Sequence, residues 1–470
     1  MKRNFLDIFR SEYEVRLSVG GHDTVAPSAD QWFGISAVPD SLPAAPAENN
    51  TPAEAQGFIR ALKPRIIRFS ARSVDFGQWM EFCRQEEIFP HIVFPYDADV
   101  SRVEAAVGTC REKFTPDDLW EARRFYEIDG HPDEPDDHEE IIYREMAMQI
   151  DLPALEEMDR RIGAVREMAL RIHGLDPEAV IILSGFSPAG EYESVCSSWN
   201  IRLVEKCSDV MDMLGVTLRP YLPAGRCWDP DSEGIEADAG LAGQIRTELS
   251  RLESRIFEAA PNAGIRIALT GWSGLPDNEV QKRQNCLFYG DVYRSVRMAC
   301  RTVAINEAGP LFGASGLLSC AGGTVYANVF YLTMLAAAYD QAHSLYFNEP
   351  DSKHPVPSVH WEGIPGRFAP ADIRLLEAFA SRSGDGKRLF LLLINRSPFK
   401  QALARVAFYD FPDLHPTAAC SIRSQNRLDE ITEADPEKVF CKQIRLPKYR
   451  SMDHVTLEIP PCGCAWLLLE

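Results

Sequence analysis

The amino-acid sequence predicts a (β/α)₈ barrel followed by a C-terminal antiparallel β-sandwich. Short apolar runs alternate with longer amphipathic segments from residue 32 to about residue 320, a rhythm typical of repeated βα units. After about Asp372 only strand-like runs remain. The 470 residues exceed one compact core and accommodate a barrel of about 250 residues with a second domain.

Eight apolar runs fit the eight barrel strands. They are WFGIS (32–36), IIRFS (66–70), HIVFP (91–95), RFYEI (124–128), VIILS (180–184), MLGVTL (213–218), IRIALT (265–270) and LFGASGLLS (311–319). The amphipathic segments between them predict helices, and the last of these segments runs from Gln281 to Glu307. A doubly wound open sheet is the alternative, but no G-x-G-x-x-G motif follows an early strand.

Strand composition with intervening turn residues defines the C-terminal region. The runs are RLFLLLINRS (388–397), ARVAFYDF (404–411), HVTLEI (454–459) and CAWLLLE (464–470), and they favour a β-sandwich. The segment EYEVRLSV (12–19) also has strand composition and could complete the sandwich. We therefore expect an N-terminal sandwich strand in 1–29, a barrel in 30–365 and the sandwich in 366–470.

Charge and composition exclude several classes of partner. A formal net charge of −20 lacks the basic surface that nucleic-acid binding requires. No apolar run reaches the roughly 18 residues that cross a bilayer, and the N-terminus reaches Asp7 and Glu12 before an apolar core of a secretory signal develops. These features predict a cytoplasmic protein without a membrane or nucleic-acid partner.

The 12 cysteines show no metal-binding spacing, and in a cytosolic protein such residues are usually small buried hydrophobes. Cys462 and Cys464 form a tight pair, but two ligands alone do not close a tetrahedral zinc site. The sequence therefore predicts no metal and no cofactor.

Candidate functional residues follow the apolar runs, because the active site of a barrel forms at the C-terminal ends of its strands. Polar and aromatic residues at these positions are Arg68, Arg72, Glu127, Asp129, His131, Asp133, Arg219, Tyr221, Thr270 and Trp272.

Two of these strand ends carry motifs of a known family. FYEIDGHPDE (125–134) is similar to the Y-W-E-I-G-N-E-P-D block, and IRIALTGWS (265–273) is similar to an apolar run followed by D/T-E-W-N. With LKPRIIRFS, AVIILSGFS and LFLLLINRS in matching order, the chain resembles the family 51 α-L-arabinofuranosidases along nearly its whole length. The resemblance implies a barrel with a sandwich and a small carbohydrate or glycoside as ligand. It also leaves a homo-oligomer open, by analogy only.

The sequence departs from the family at its catalytic positions. The N-E pair, whose Glu is the family's acid/base, is matched by Gly130 and His131. Gly271 stands where the family has its nucleophilic Glu, and Gly215 and Thr217 match its sixth-strand Ser-x-His. A retaining glycosidase needs two carboxyl groups about 5–5.5 Å apart. The family's mechanism therefore cannot be transferred to this chain.

Proton transfer could instead come from Glu127, Asp129 and His131, since carboxylates and imidazole suit acid–base chemistry near neutral pH. An inverting mechanism would need only a second base, for which Asp277 and Glu279 are candidates. The alternative is a solvated polar loop in which Glu127 has a structural role. The same acidic stretch is rich in carboxylate and imidazole ligands for a divalent cation, but such acidic loops are common, and no metal site is predicted there.

The remaining candidates would bind substrate. Arginine suits carboxylates, phosphates and sugar hydroxyls, and aromatic rings stack on sugars, although core packing is the commoner fate of an aromatic at a strand end. Arg68 has a buried ion pair with Glu127 as its alternative role. The candidates are Arg68, Arg72, Trp199, Asn200, Arg219, Tyr221 and Trp272, with Trp272 the favoured sugar contact and Asn306 a weaker polar candidate.

Two functions follow from these observations. The first is a divergent glycosidase acting on a small glycoside. The second is a catalytically inactive carbohydrate-binding or regulatory protein, which the loss of both catalytic glutamates favours. A serine hydrolase is disfavoured because SGFSPAG (184–190) lacks G-x-S-x-G.

Overall fold

The computed structural model describes residues 12–24, 31–37, 52–73, 75–115, 123–130, 152–186, 193–218, 233–272, 282–299, 303–313, 315–321, 324–341, 343–348, 355–361, 371–411, 413–446 and 454–470. Its first strand, β1 (Glu12–Thr24), belongs to the C-terminal sheet.

Eight parallel strands close into a barrel, as predicted. They are β2 (Trp32–Ser36), β3 (Ile66–Ser70), β4 (Phe89–Pro95), β5 (Phe125–Asp129), β6 (Val180–Gly185), β7 (Met213–Leu218), β8 (Arg266–Trp272) and β9 (Val303–Ala308). Pairing of β2 with β9 closes the ring.

Helices cover the outside of the barrel. They are α1 (Pro52–Leu62), α2 (Phe76–Gln85), α3 (Val100–Lys113), α4 (Leu152–Leu175), α5 (Glu193–Cys207), α6 (Glu233–Ala259), α7 (Asn285–Arg297) and α8 (Val329–Met334), which continues into a 3₁₀ helix (Leu335–Tyr339). None of these helices, within the part of the chain that the structure describes, is long and apolar enough to span a bilayer.

The eighth barrel strand lies elsewhere than the sequence predicted. The run 311–319 forms a turn that leads into β10 (Leu318–Ala321), which pairs with β11 (Thr324–Ala327). The barrel strand is VAINEA (303–308), which follows α7 without an intervening glycine or proline and therefore reads as the end of that helix. Because of this misassignment the sequence-based prediction missed Glu307, which β9 brings into contact with His91.

The lower interior of the barrel is apolar. One buried cluster joins inward residues of seven strands, as a packed barrel core requires. Its members are Trp32, Ile66, Phe125, Ile182, Met213, Ala268, Ala304 and Ile305.

The C-terminal sandwich is built on a nine-stranded sheet in the order β19-β18-β21-β16-β15-β12-β1-β17-β20. Its remaining strands are β12 (His343–Asn348), β15 (Leu376–Arg382), β16 (Leu389–Asn395), β17 (Gln401–Phe408), β18 (Pro416–Arg423), β19 (Phe440–Gln443), β20 (His454–Ile459) and β21 (Gly463–Leu469). A separate hairpin joins β13 (Ser358–Trp361) and β14 (Ala371–Arg374). Strand β1 pairs parallel with β17 and antiparallel with β12, and a disulfide joins Cys420 to Cys441.

Strand β16 ties the sandwich to the barrel. Alternate residues of LFLLLIN enter different cores, with Leu391 in the sandwich core and Leu392 in the core shared with the barrel helices. Just after β16, Arg396 donates from Nε and Nη2 to the two carboxylate oxygens of Asp291 on α7, at 2.9 and 2.6 Å. Both side chains are buried, so this bidentate pair fixes the sandwich against α7.

Candidate functional site

A layer of buried charged residues lies above the apolar floor of the barrel. Arg68 on β3 donates from Nε and Nη2 to the two carboxylate oxygens of Glu127 on β5, at 2.5 and 3.0 Å. The hydroxyl of Ser184 on β6 donates to the same carboxylate at 2.5 Å. The ion pair that was the alternative role for Arg68 is therefore present, and both partners are buried.

His91 on β4 connects Glu127 to a second buried carboxylate. Its Nε2 lies 3.1 Å from Oε2 of Glu127, and its Nδ1 lies 2.8 Å from Oε1 of Glu307 on β9. A Cβ at Gly34 on β2 would lie 2.8 Å from Cγ of Glu307. Glycine at position 34 therefore makes room for this carboxylate.

The pKa values of these groups follow from burial and from their neighbours. Burial opposes protonation of His91, but Glu307 and Glu127 outweigh it and raise the pKa of His91 to about 9. Burial favours the neutral form of Glu127, but Arg68 and His91 outweigh it and hold the pKa of Glu127 well below its usual range. Burial raises the pKa of Glu307. At neutral pH Glu127 is ionised and holds no proton to donate.

One proton is shared by His91 and Glu307. Both imidazole nitrogens face carboxylate oxygens, and the pKa values of His91 and Glu307 are both raised. At neutral pH the pair therefore holds one proton more than a neutral imidazole beside a carboxylate, and this proton forms either an imidazolium or a neutral Glu307. In both cases the layer is electrically neutral, because Arg68 balances Glu127. Neutrality is what makes four ionisable side chains tolerable in a barrel interior.

Asp129 lies above this layer, at the C-terminal end of β5. It is two residues beyond Glu127 and therefore on the same inward face of the strand. Its side chain is half-buried. Of the two members of the predicted catalytic set that the structure describes, Asp129 is therefore the one that is not fully buried.

The end of β8 carries no carboxylate. Thr270 lies 3.4 Å, oxygen to oxygen, from the hydroxyl of Thr217 on β7. Among the described residues, a Cβ at Gly271 would approach only Cγ2 of Thr217, at 3.8 Å, so within this part of the chain a larger side chain has room to begin there. At Gly130, by contrast, a Cβ would clash with Cγ2 of Val165 on α4, which places that position against the helix layer.

The aromatic candidate Trp272 is packed inside the protein. It is 1% exposed, its Nε1 donates to Oδ1 of Asn306 on β9 at 2.8 Å, and its ring lies 5.1 Å from that of Phe330 on α8. This environment is that of a core tryptophan with a satisfied N–H. Contact between Trp272 and a sugar stays a prediction.

Trp199 and Asn200, both on α5, form hydrogen bonds with the backbone at the end of β6. Trp199 is fully buried and donates from Nε1 to the carbonyl oxygen of Ser184 at 3.1 Å. Asn200 accepts from the amide of Phe186 at 2.9 Å and donates to its carbonyl oxygen at 3.1 Å. Both side chains are thus engaged in packing and backbone contacts, and their predicted roles in sugar binding are not tested.

Arg72 lies in the exposed turn after β3, where it pairs with Asp97 at 3.2 Å. His131, Arg219 and Tyr221 lie outside the described residues, as do Asp133, Asp277 and Glu279.

The sequence did not single out His91 or Glu307. His91 stood at the start of a predicted strand, where a polar residue reads as a strand boundary. Asn306 and Glu307 follow the apolar VAI, which is the signal that marks other strand ends, but the segment was assigned to a helix.

Comparison with known proteins places this architecture in a structural class. No protein-family model matches the sequence, and a search of curated proteins finds no match. Among solved structures, the fold is similar to the α-L-arabinofuranosidase of Thermotoga maritima in its arabinose complex, at a TM-score of 0.65 and 13% identity over 97% of this chain and 99% of the other. It is also similar to AbfB, a family 51 α-L-arabinofuranosidase from Bifidobacterium longum, at a TM-score of 0.68 and 11% identity over 97% and 99% of the two chains.

A xyloglucanase of glycoside hydrolase family 44 from Paenibacillus polymyxa matches at a TM-score of 0.59 and 11% identity, over 97% and 99% of the two chains. The chain therefore has the fold of these glycoside hydrolases along nearly its full length. The fold-level resemblance to family 51 that the motifs indicated is confirmed.

Proposed function

We propose that this chain binds a small glycoside at the C-terminal mouth of its barrel and hydrolyses it without a nucleophile on β8. The observation that carries the proposal is Asp129, a half-buried carboxylate at the end of β5, in a fold similar to arabinofuranosidases over 97% of the chain. Active sites of such barrels form at this end.

In this proposal Asp129 donates a proton to the leaving oxygen as the glycosidic bond breaks. A water molecule attacks the anomeric carbon from the opposite face and loses its proton to a base, which gives inversion. His131, Asp277 and Glu279 are the candidates for that base. Because Gly271 offers no carboxylate, direct attack by water is the route that requires the fewest groups.

Glu127 has a positioning role in this mechanism. It was predicted to share catalysis with Asp129 and His131, but its carboxylate is buried and paired with Arg68, and it is ionised at neutral pH because its pKa is low. Its carboxylate contacts Arg68 on β3, His91 on β4 and Ser184 on β6. These contacts hold β5 in place and thereby position Asp129 at its end.

A carbohydrate-binding protein without hydrolytic activity is the second candidate. The observation that favours it is the scarcity of acid groups: at the ends of β5, β6, β7 and β8, as far as the structure describes them, Asp129 is the sole carboxylate. A sugar could then bind the mouth without two groups to move its protons.

Hydrolysis and binding are measured on the same three proteins: the native chain, Asp129→Asn and, as a control, Lys400→Gln, an exposed position outside the barrel mouth. Natural disaccharides and aryl glycosides serve as substrates, and calorimetry with L-arabinose reports binding. The enzyme proposal requires turnover by the native protein that falls at least 10²-fold in Asp129→Asn, since general acid–base catalysis contributes about 10²–10⁴-fold. Binding without turnover would support the second candidate, and neither binding nor turnover would refute both.

A further inference from the structure

A cavity lies at the junction of barrel and sandwich, away from the barrel mouth. Its volume is about 320 Å³, within the size range of small-ligand sites. Lys63, which follows α1, and Tyr339, which ends the 3₁₀ helix, form its barrel side. Because the chain passes from Lys63 into the start of β3, the cavity lies at the N-terminal end of the strands, opposite the proposed active site.

The cavity wall carries a cation that no described carboxylate neutralises. Lys63 forms no salt bridge within the part of the chain that the structure describes, and its ammonium lies 5.3 Å from the ring centroid of Tyr339. Lys63 also holds a left-handed backbone, with φ of 48°, where glycine is favoured at the end of a helix. Such a cation attracts an anionic group at contact distance, where the field of the distant charges behind the chain's net charge of −20 is screened by salt.

A second cation lines the sandwich side. Nε of Arg388 lies 3.2 Å from Oε1 of Glu470, and both side chains are substantially exposed. An exposed pair of this kind contributes about 0–1 kcal/mol. A ligand carboxylate can therefore compete with Glu470 for the guanidinium at little cost.

The rest of the lining suits a hydroxylated ring. The ring of Tyr339 is held by stacking on Trp466, with centroids 4.5 Å apart, and Thr417 and Gln341 add a hydroxyl and an amide beside apolar Leu468. Sugars present hydroxyls at their edges and C–H groups on their faces. Amide and hydroxyl side chains can hydrogen-bond to the sugar hydroxyls, and apolar side chains can pack against the C–H faces.

We infer that this cavity binds a carboxylated monosaccharide, with the carboxylate between Lys63 and Arg388. The site is distinct from the barrel mouth, so it does not depend on the function proposed there. Its ligand class is inferred from two cations, Lys63 and the Arg388 that pairs with Glu470, around one small cavity of mixed polar and apolar lining.

Calorimetric titration of the full chain with sodium D-glucuronate tests the inference, with D-glucose, acetate and inorganic phosphate as comparison ligands. We expect saturable binding of glucuronate at least tenfold tighter than that of the other three. Lys63→Gln should weaken it about tenfold, the equivalent of one charge-assisted contact. Glu470→Gln should tighten it severalfold, because it removes the carboxylate that competes for Arg388. A gain of affinity cannot result from unfolding.

Lys400→Gln, an exposed lysine outside the cavity, and Asp129→Asn, at the mouth, should leave glucuronate binding unchanged. Equal affinity for acetate or phosphate would reduce the cavity to a simple anion site and overturn the sugar assignment. Loss of binding in Asp129→Asn but not in Lys63→Gln would place the ligand at the mouth. Absence of saturable binding would overturn the inference outright.

Discussion

Removal of the shared proton in the barrel interior should destabilise the protein at alkaline pH. The pKa of His91 is about 9 in the folded chain against 6.5 for an ordinary histidine. Because the folded-state value is the higher one, the stabilisation is fully present below pH 6.5 and is lost as pH rises through 9. The shift corresponds to about 3 kcal/mol.

The raised pKa of Glu307 acts in the same direction, since loss of the shared proton leaves one buried negative charge unbalanced. Urea unfolding followed by tryptophan fluorescence between pH 6 and pH 9.5 measures the effect. His91→Gln removes the titrating group, so the difference in unfolding free energy between native protein and variant should shrink by about 3 kcal/mol across this range.

His173→Gln, on the outer helix α4, serves as the control and should retain the native pH dependence. If native protein and His91→Gln lose stability in parallel, the proton is not held between His91 and Glu307, and the reasoning fails.

Three further outcomes follow from the same interior and from the mouth. Arg68→Met should lower the unfolding free energy by about 3–5 kcal/mol, because it leaves the Glu127 carboxylate buried without its cation. Gly34→Ala should cost about 1–3 kcal/mol by crowding Glu307. Gly57→Ala in α1, where a Cβ meets no atom of the described residues within 4 Å, should be neutral or stabilising, and chemical denaturation checks all three variants. The native protein should release little or no 4-nitrophenol from the aryl α-L-arabinofuranoside, because Gly271 supplies no carboxylate to attack its anomeric carbon. Turnover on the order of 1–10³ per second would show that this glycoside is hydrolysed by attack of water or of another residue.

The sequence predicted the barrel well because a strand that is buried on both faces is a short apolar run, and the amphipathic helices on either side make that run visible locally. Strands β2 and β7 begin and end at the predicted residues. The prediction of the eighth strand was wrong because VAINEA continues the apolar pattern of α7 into β9. Barrel closure, which pairs β9 with β2, is a long-range constraint that no local window contains.

The site was less predictable than the fold. A charged residue inside a strand looks locally unfavourable, and only its partner on another strand makes it tolerable, as with His91 and Glu307. For aromatic residues, the sequence does not show whether a residue at a strand end lines a pocket or is buried in the core. Trp272 ends a strand, where a pocket is expected, but α8 supplies Phe330 to cover it.

The bidentate contact between Arg396 and Asp291 has a consequence for engineering the molecule. A barrel fragment ending near residue 365 would keep Asp291 on α7 but lose its guanidinium partner, together with the apolar cover that β16 provides. Chimaeras that exchange the sandwich with that of another barrel protein would need to transfer positions 291 and 396 together. We therefore expect the barrel and the sandwich to depend on each other for stability and not to act as interchangeable modules.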